Sequence, residues 1–72
     1  MTKWIYFGCY NDAADYQDHE FEIEGDDSTR YILTLDKSTG QYHGTIITGE
    51  DREKKAEGMD AEMVEELKGQ IS

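Results

Sequence analysis

Between Tyr10 and Thr29 the chain carries eight carboxylates and no lysine or arginine: Asp12, Asp15, Asp18, Glu20, Glu22, Glu24, Asp26 and Asp27. Clustering like charge works against folding, and interspersed signs would keep a protein soluble at lower cost. The spacing adds to this. In Glu20-Phe21-Glu22-Ile23-Glu24 acids and apolar residues alternate strictly, the pattern of a half-buried strand. Alternate side chains of a strand project from one face about 6.7 Å apart. A nucleic-acid strand also presents a regular row of single negative charges, rising about 3.4 Å per phosphate along the axis. A ribbon of carboxylates can therefore occupy a basic groove built for a phosphate backbone. By analogy of composition, phage-encoded inhibitors of restriction or CRISPR nucleases use this strategy. Tyr10 and Tyr16 stand beside the run as apolar anchors, since tyrosine is enriched at the energetic centres of interfaces.

Other chemistry has weaker support. Asp12, Asp15, Asp18 and Glu20 offer the oxygen ligands a hard divalent cation prefers, but the D-x-D-x-D-G spacing with a distal Glu is absent. Solvated carboxylates are the better reading, and no metal is expected. Cys9 with His43 or His19 is the available nucleophile–base pairing. Cys9 is expected on the apolar side of a strand, as a small buried hydrophobe. The acidic surroundings of His19 would raise its pKa. Neither a Walker loop nor a G-x-G-x-x-G occurs, and so small a two-layer domain has little room for a dry pocket. No enzyme activity and no cofactor are expected. The aromatic residues Trp4, Tyr6, Tyr10, Tyr16, Tyr31 and Tyr42 fit either an interface or cross-strand packing.

The whole chain bounds these readings. Seventy-two residues allow one domain, with a folded surface of about 4,600 Å². Seventeen acids face seven bases, a net charge of −10. That balance opposes direct binding to nucleic acid or anionic lipid and favours a basic protein partner. Eight aromatic residues argue for a fold over disorder. The single cysteine excludes an internal disulfide and a Cys₂His₂ zinc site, and fits a reducing compartment. The apolar run near the N-terminus is too short for a signal peptide or a membrane span, so the expectation is a cytoplasmic protein.

The elements that must position the acids follow from local pattern. Strands are expected at Trp4–Tyr10, Glu20–Glu24, Arg30–Leu35 and Gln41–Thr48, rich in aromatic and β-branched residues. In the first, Ile5, Phe7 and Cys9 would face one side, and Trp4, Tyr6 and Tyr10 the other. Asn11–Asp18 reads as a loop, Gly25–Ser28 as a turn, and Asp36–Gly40 as a hairpin loop. Gly44 marks a bulge or a close backbone approach. Thr48–Asp51 resembles a capping box, Glu50/Lys54 and Asp51/Lys55 are i,i+4 pairs, and Ala56, Met59, Met63, Leu67 and Ile71, with Val64, form an apolar helical stripe. Gly58 interrupts the stripe, leaving either one helix from about Gly49 to Gln70 or a short turn followed by a helix from Ala61 with Asp60 as its cap, of which the interrupted version is favoured. The predicted fold is α+β: a four-stranded antiparallel meander with one C-terminal helix packed on one face. The expected function is binding, by charge mimicry, to a basic nucleic-acid-handling protein. The alternative is an acidic interaction module, antitoxin-like or a regulatory subunit, docking through its sheet edge or helix.

Overall fold

The computed structural model describes residues 2–49 and 54–71. Alternating apolar residues and short connections build one antiparallel sheet in sequence order: β1 (Trp4–Asp12), β2 (Tyr16–Ile23), β3 (Asp26–Asp36), β4 (Gln41–Thr48) and β5 (Lys55–Gly58). A single helix, α1 (Ala61–Ile71), follows. The α+β class and the lone C-terminal helix are as expected, but the sheet has five strands rather than four.

One sheet face is built around Phe21 and Leu33, both fully buried, and Tyr31. The helix lays Val64 and Leu67 on them, with Met63 and Ile71 at the margin. Burying such side chains contributes about 1.5–3 kcal/mol each. Trp4 meets Tyr31 edge-on at 4.9 Å, and Tyr6 stacks on Phe21 at 5.0 Å. These aromatics therefore pack across strands, whereas Tyr10 and Tyr16 stay exposed. Among the described residues nothing covers the sheet's other face, and the molecule measures 32 × 30 × 20 Å. Its surface of 5157 Å² exceeds the value expected for its mass, consistent with that open face.

Asp60 caps the helix: its Oδ1 accepts from the Met63 amide at 2.8 Å, and its carbonyl accepts from the Val64 amide. Glu62 in the first turn and Lys68 in the last complement the helix dipole. Gly44 is a close approach rather than a bulge. Met59 lies directly against it and its amide donates to the Gly44 carbonyl at 3.0 Å.

Four expectations are corrected. Asn11–Asp18 is mostly strand: β1 runs on to Asp12 and β2 begins at Tyr16. Ladder bonds and polar cross-strand pairs hold this segment, and neither leaves an apolar periodicity in the sequence. The turn after β2 is tighter than Gly25–Ser28, because Asp26 already belongs to β3 and Gly25 takes φ +89°. In β1, register shifts between Tyr6 and Gly8 and between Cys9 and Asn11 break the simple alternation. Cys9 is exposed, not buried, although its register opposite His19 puts it on the helix side of this edge strand. Ala56 lies in β5 opposite Ile47, not on the helix. The proposed capping box and the Glu50/Lys54 and Asp51/Lys55 pairs involve residues outside those described.

Substituting Gly44→Ala drives a methyl into Met59 and is expected to cost about 1–3 kcal/mol in urea unfolding. Asp60→Ala removes the cap and is expected to cost about 1 kcal/mol. An unchanged midpoint for either would show that the contact does not contribute.

Candidate interaction surface

Pairing across the strands sorts side chains by face. Glu22 opposes Ile5, Glu20 opposes Gly8 and Ile32, and Asp18 opposes Asn11 and Thr34. Arg30 opposes Ile47, and Thr34 opposes His43. All of these lie on the face away from the helix. Asp18, Glu20 and Glu22 are thus consecutive outward positions of β2. The row is displaced one step from the expected Glu20–Glu22–Glu24, because Glu24 falls in the turn.

Asp18 is the most tightly held of the three. Its Oδ1 accepts from the Thr34 hydroxyl at 2.6 Å and its Oδ2 from Asn11 Nδ2 at 3.3 Å. Asn11 Nδ2 also donates to the Tyr16 hydroxyl at 3.0 Å. These neutral donors orient the carboxylate without cancelling its charge. Glu20 sits 3.5 Å from the Arg30 guanidinium. Glu22 has no side-chain partner among the described residues. Tyr10 and Tyr16 stand together at the Asp18 end of the row, 58% and 37% exposed. The Tyr10 hydroxyl is pushed above its ordinary pKa, first by partial burial and then by the Asp18 and Glu20 carboxylates.

The other five acids lie at the ends of the sheet. Asp12 accepts from Lys37, which also donates to the Ala13 carbonyl at 2.7 Å; the lysine lowers the Asp12 pKa. Asp15 is exposed in the 13–15 connection. Glu24 pairs loosely with Lys3 at 3.7 Å. Asp26 Oδ1 accepts from the Ser28 hydroxyl and amide, which lowers its pKa. Asp27 is exposed in β3. The run of eight is therefore a three-carboxylate row with acids clustered at either end, not one continuous ribbon. The helix side is acidic too, with Asp60, Glu62, Glu65 and Glu66 exposed. Sequence reasoning missed Asn11 and Thr34, which hold Asp18, and Arg30. The alternation of Arg30-Tyr31-Ile32-Leu33-Thr34 already places Arg30 and Thr34 on one face.

The other candidate chemistries find little geometry. Among the described residues no group of three or more His, Cys, Asp or Glu side chains comes together to hold a metal. Cys9 opposes His19 across the ladder, yet its Sγ lies 3.6 Å from the Asn11 carbonyl. His19 is buried in the wall of a cleft of about 550 Å³ on the helix side, formed with Tyr6, Gln17, Tyr42, Glu65 and Lys68. Its Nε2 is 2.9 Å from Gln17 Oε1, which can only accept, so Nε2 carries the proton and donates. The Tyr6 hydroxyl then donates to Nδ1 across 2.8 Å. Burial lowers the His19 pKa below its usual 6.5, although Asp18 and Asp12 act the other way. The expected upward shift is thus reversed. Among the described residues, no helix is long and apolar enough to cross a membrane.

Because the fold favours neutral His19, its contribution to stability is complete above about pH 6.5 and declines as the pH falls through the lowered value. Unfolding free energies at pH 7.5 and 5.5 should fall more for the native chain than for His19→Gln. Equal changes in the two proteins would show that His19 titrates as it does unfolded.

No protein-family model, no curated protein and no solved structure matches this chain.

Proposed function

We propose that this protein is a binding protein, not a catalyst, and that its uncovered sheet face docks on the basic groove of a nucleic-acid-handling protein in place of a phosphate backbone. The observation that carries this reading is the placement of Asp18, Glu20 and Glu22 at successive outward positions of β2, with exposed Tyr10 and Tyr16 at the Asp18 end. Their spacing of about 6.7 Å follows from strand geometry. A face some 30 Å across is wide enough for a standard interface of about 800 Å² per partner. The net charge of −10 would steer association and make it salt-sensitive. Inhibition of a restriction or CRISPR nuclease is one role that fits such a surface.

A second reading has its own support. Ile5, Tyr6 and Phe7 are 40–55% exposed along β1, an edge strand. They fit an acidic interaction module, antitoxin-like or regulatory, that docks through apolar contact. The two register shifts in β1 disturb the free edge, a feature that hinders strand addition. This favours docking by the face over docking by the edge.

Partners captured from the native host with the intact chain separate the two readings. For mimicry, affinity for the identified partner should fall steeply with salt, DNA or RNA should compete, and the double substitution Glu20→Lys, Glu22→Lys should weaken binding at least about a hundredfold while leaving the circular dichroism unchanged. Salt-insensitive binding that survives this charge reversal, but is lost on Phe7→Asp, would establish the apolar reading instead.

A further inference from the structure

We infer that the open face reads arginine side chains of its partner, preferring guanidinium groups over lysine ammonium groups. This rests on the docking reading above and specifies its chemistry.

The register shift between Cys9 and Asn11 makes Tyr10 an extra residue in β1, so that two residues, Tyr10 and Asn11, stand against Asp18 alone. An exposed phenol ring thus adjoins a carboxylate that Thr34 and Asn11 already hold in place. Tyr16 joins the same group through Asn11. One strand position along, Glu20 accepts a guanidinium from within the chain, with Arg30 Nε 3.5 Å from its Oε2. Lysines serve other acids of the chain, Lys3 at Glu24 and Lys37 at Asp12, so the preference for guanidinium rests on the ring beside Asp18.

Charge complementarity selects a cation, and the ring beside the acid selects which one. A guanidinium is planar and weakly hydrated. It can lie flat on a phenol while its edge donates two parallel hydrogen bonds to a neighbouring carboxylate. An ammonium gains the Coulomb attraction but remains strongly hydrated and lacks the flat face. A bare row of carboxylates would not discriminate between the two. Carboxylates flanked by exposed tyrosines would.

The test uses two labelled peptides of equal length and charge, one alternating Arg and Ser, the other Lys and Ser, titrated against the intact protein by fluorescence anisotropy in low salt. The arginine peptide should bind about fivefold more tightly, the advantage expected of cation–π contact at exposed sites. Tyr10→Leu should reduce that ratio towards one and leave lysine-peptide affinity unchanged. Glu22→Gln should weaken both peptides alike. Equal binding of the two peptides to the native chain would overturn the arginine preference and leave acidic docking intact. If neither binds, both the preference and the docking reading fail. Tyr10→Phe keeps the ring and should keep the ratio; its loss there would assign the effect to the hydroxyl and overturn the stacking mechanism.

Discussion

A sheet has two faces, and this chain has one amphipathic helix to cover them. Leu67 and Val64 can reach Phe21, Tyr31 and Leu33 from only one side. Every outward side chain on the other side must then be soluble where it stands or contact another molecule. Ile5, Ile32 and Ile47 are apolar exceptions on that side, and Ile32 is the most buried of them. It is only 8% exposed, with Glu20 and Thr45 as its cross-strand neighbours. The same economy explains Gly44, whose missing side chain lets Met59 cross the sheet and start the helix where its apolar stripe meets the core.

The second constraint is repulsion among the acids. The fold meets it locally, not with a general neutralising layer. Lys37 ties Asp12 and the Ala13 carbonyl to the far hairpin, Lys3 approaches Glu24, and Arg30 approaches Glu20. Such exposed pairs are weak, so they ease the repulsion more than they build stability. Asp18 is handled differently. Neutral donors fix its orientation and leave its charge in place, which is costly for folding. That contrast sets Asp18 apart from Asp15 and Glu24, whose side chains are exposed.

His19 shows the same division on the opposite face. It belongs to the most acidic stretch of the sequence, yet the fold removes it from water and saturates both ring nitrogens with neutral partners, so desolvation outweighs the nearby carboxylates. Alternation along β2 thus separates adjacent residues into two environments. Asp18, Glu20 and Glu22 go to solvent; His19, Phe21 and Ile23 go to the helix side.

Local pattern by itself determined the α+β class, β4 to the residue, the inward Phe21 and Ile23, and the outward Glu20 and Glu22; it favoured the helix start at Ala61 with its Asp60 cap over one longer helix, and it left Gly44 as either a bulge or a close approach. Each depends on neighbours within a few positions, where strand and helix periods and capping chemistry are legible. The tertiary structure alone decided the rest. β5 exists because β4 offers it a ladder, not because Lys55–Gly58 has the composition of a strand. Asn11–Asp18 became strand because β3 and the Lys37 hairpin supply partners distant in sequence. One register shift turned Cys9 to the side of His19, a second brought Tyr10 against Asp18, and a tight turn removed Glu24 from the row. Hydrogen-bond ladders and bulges are properties of paired strands, and a single strand's sequence records only half of each pair.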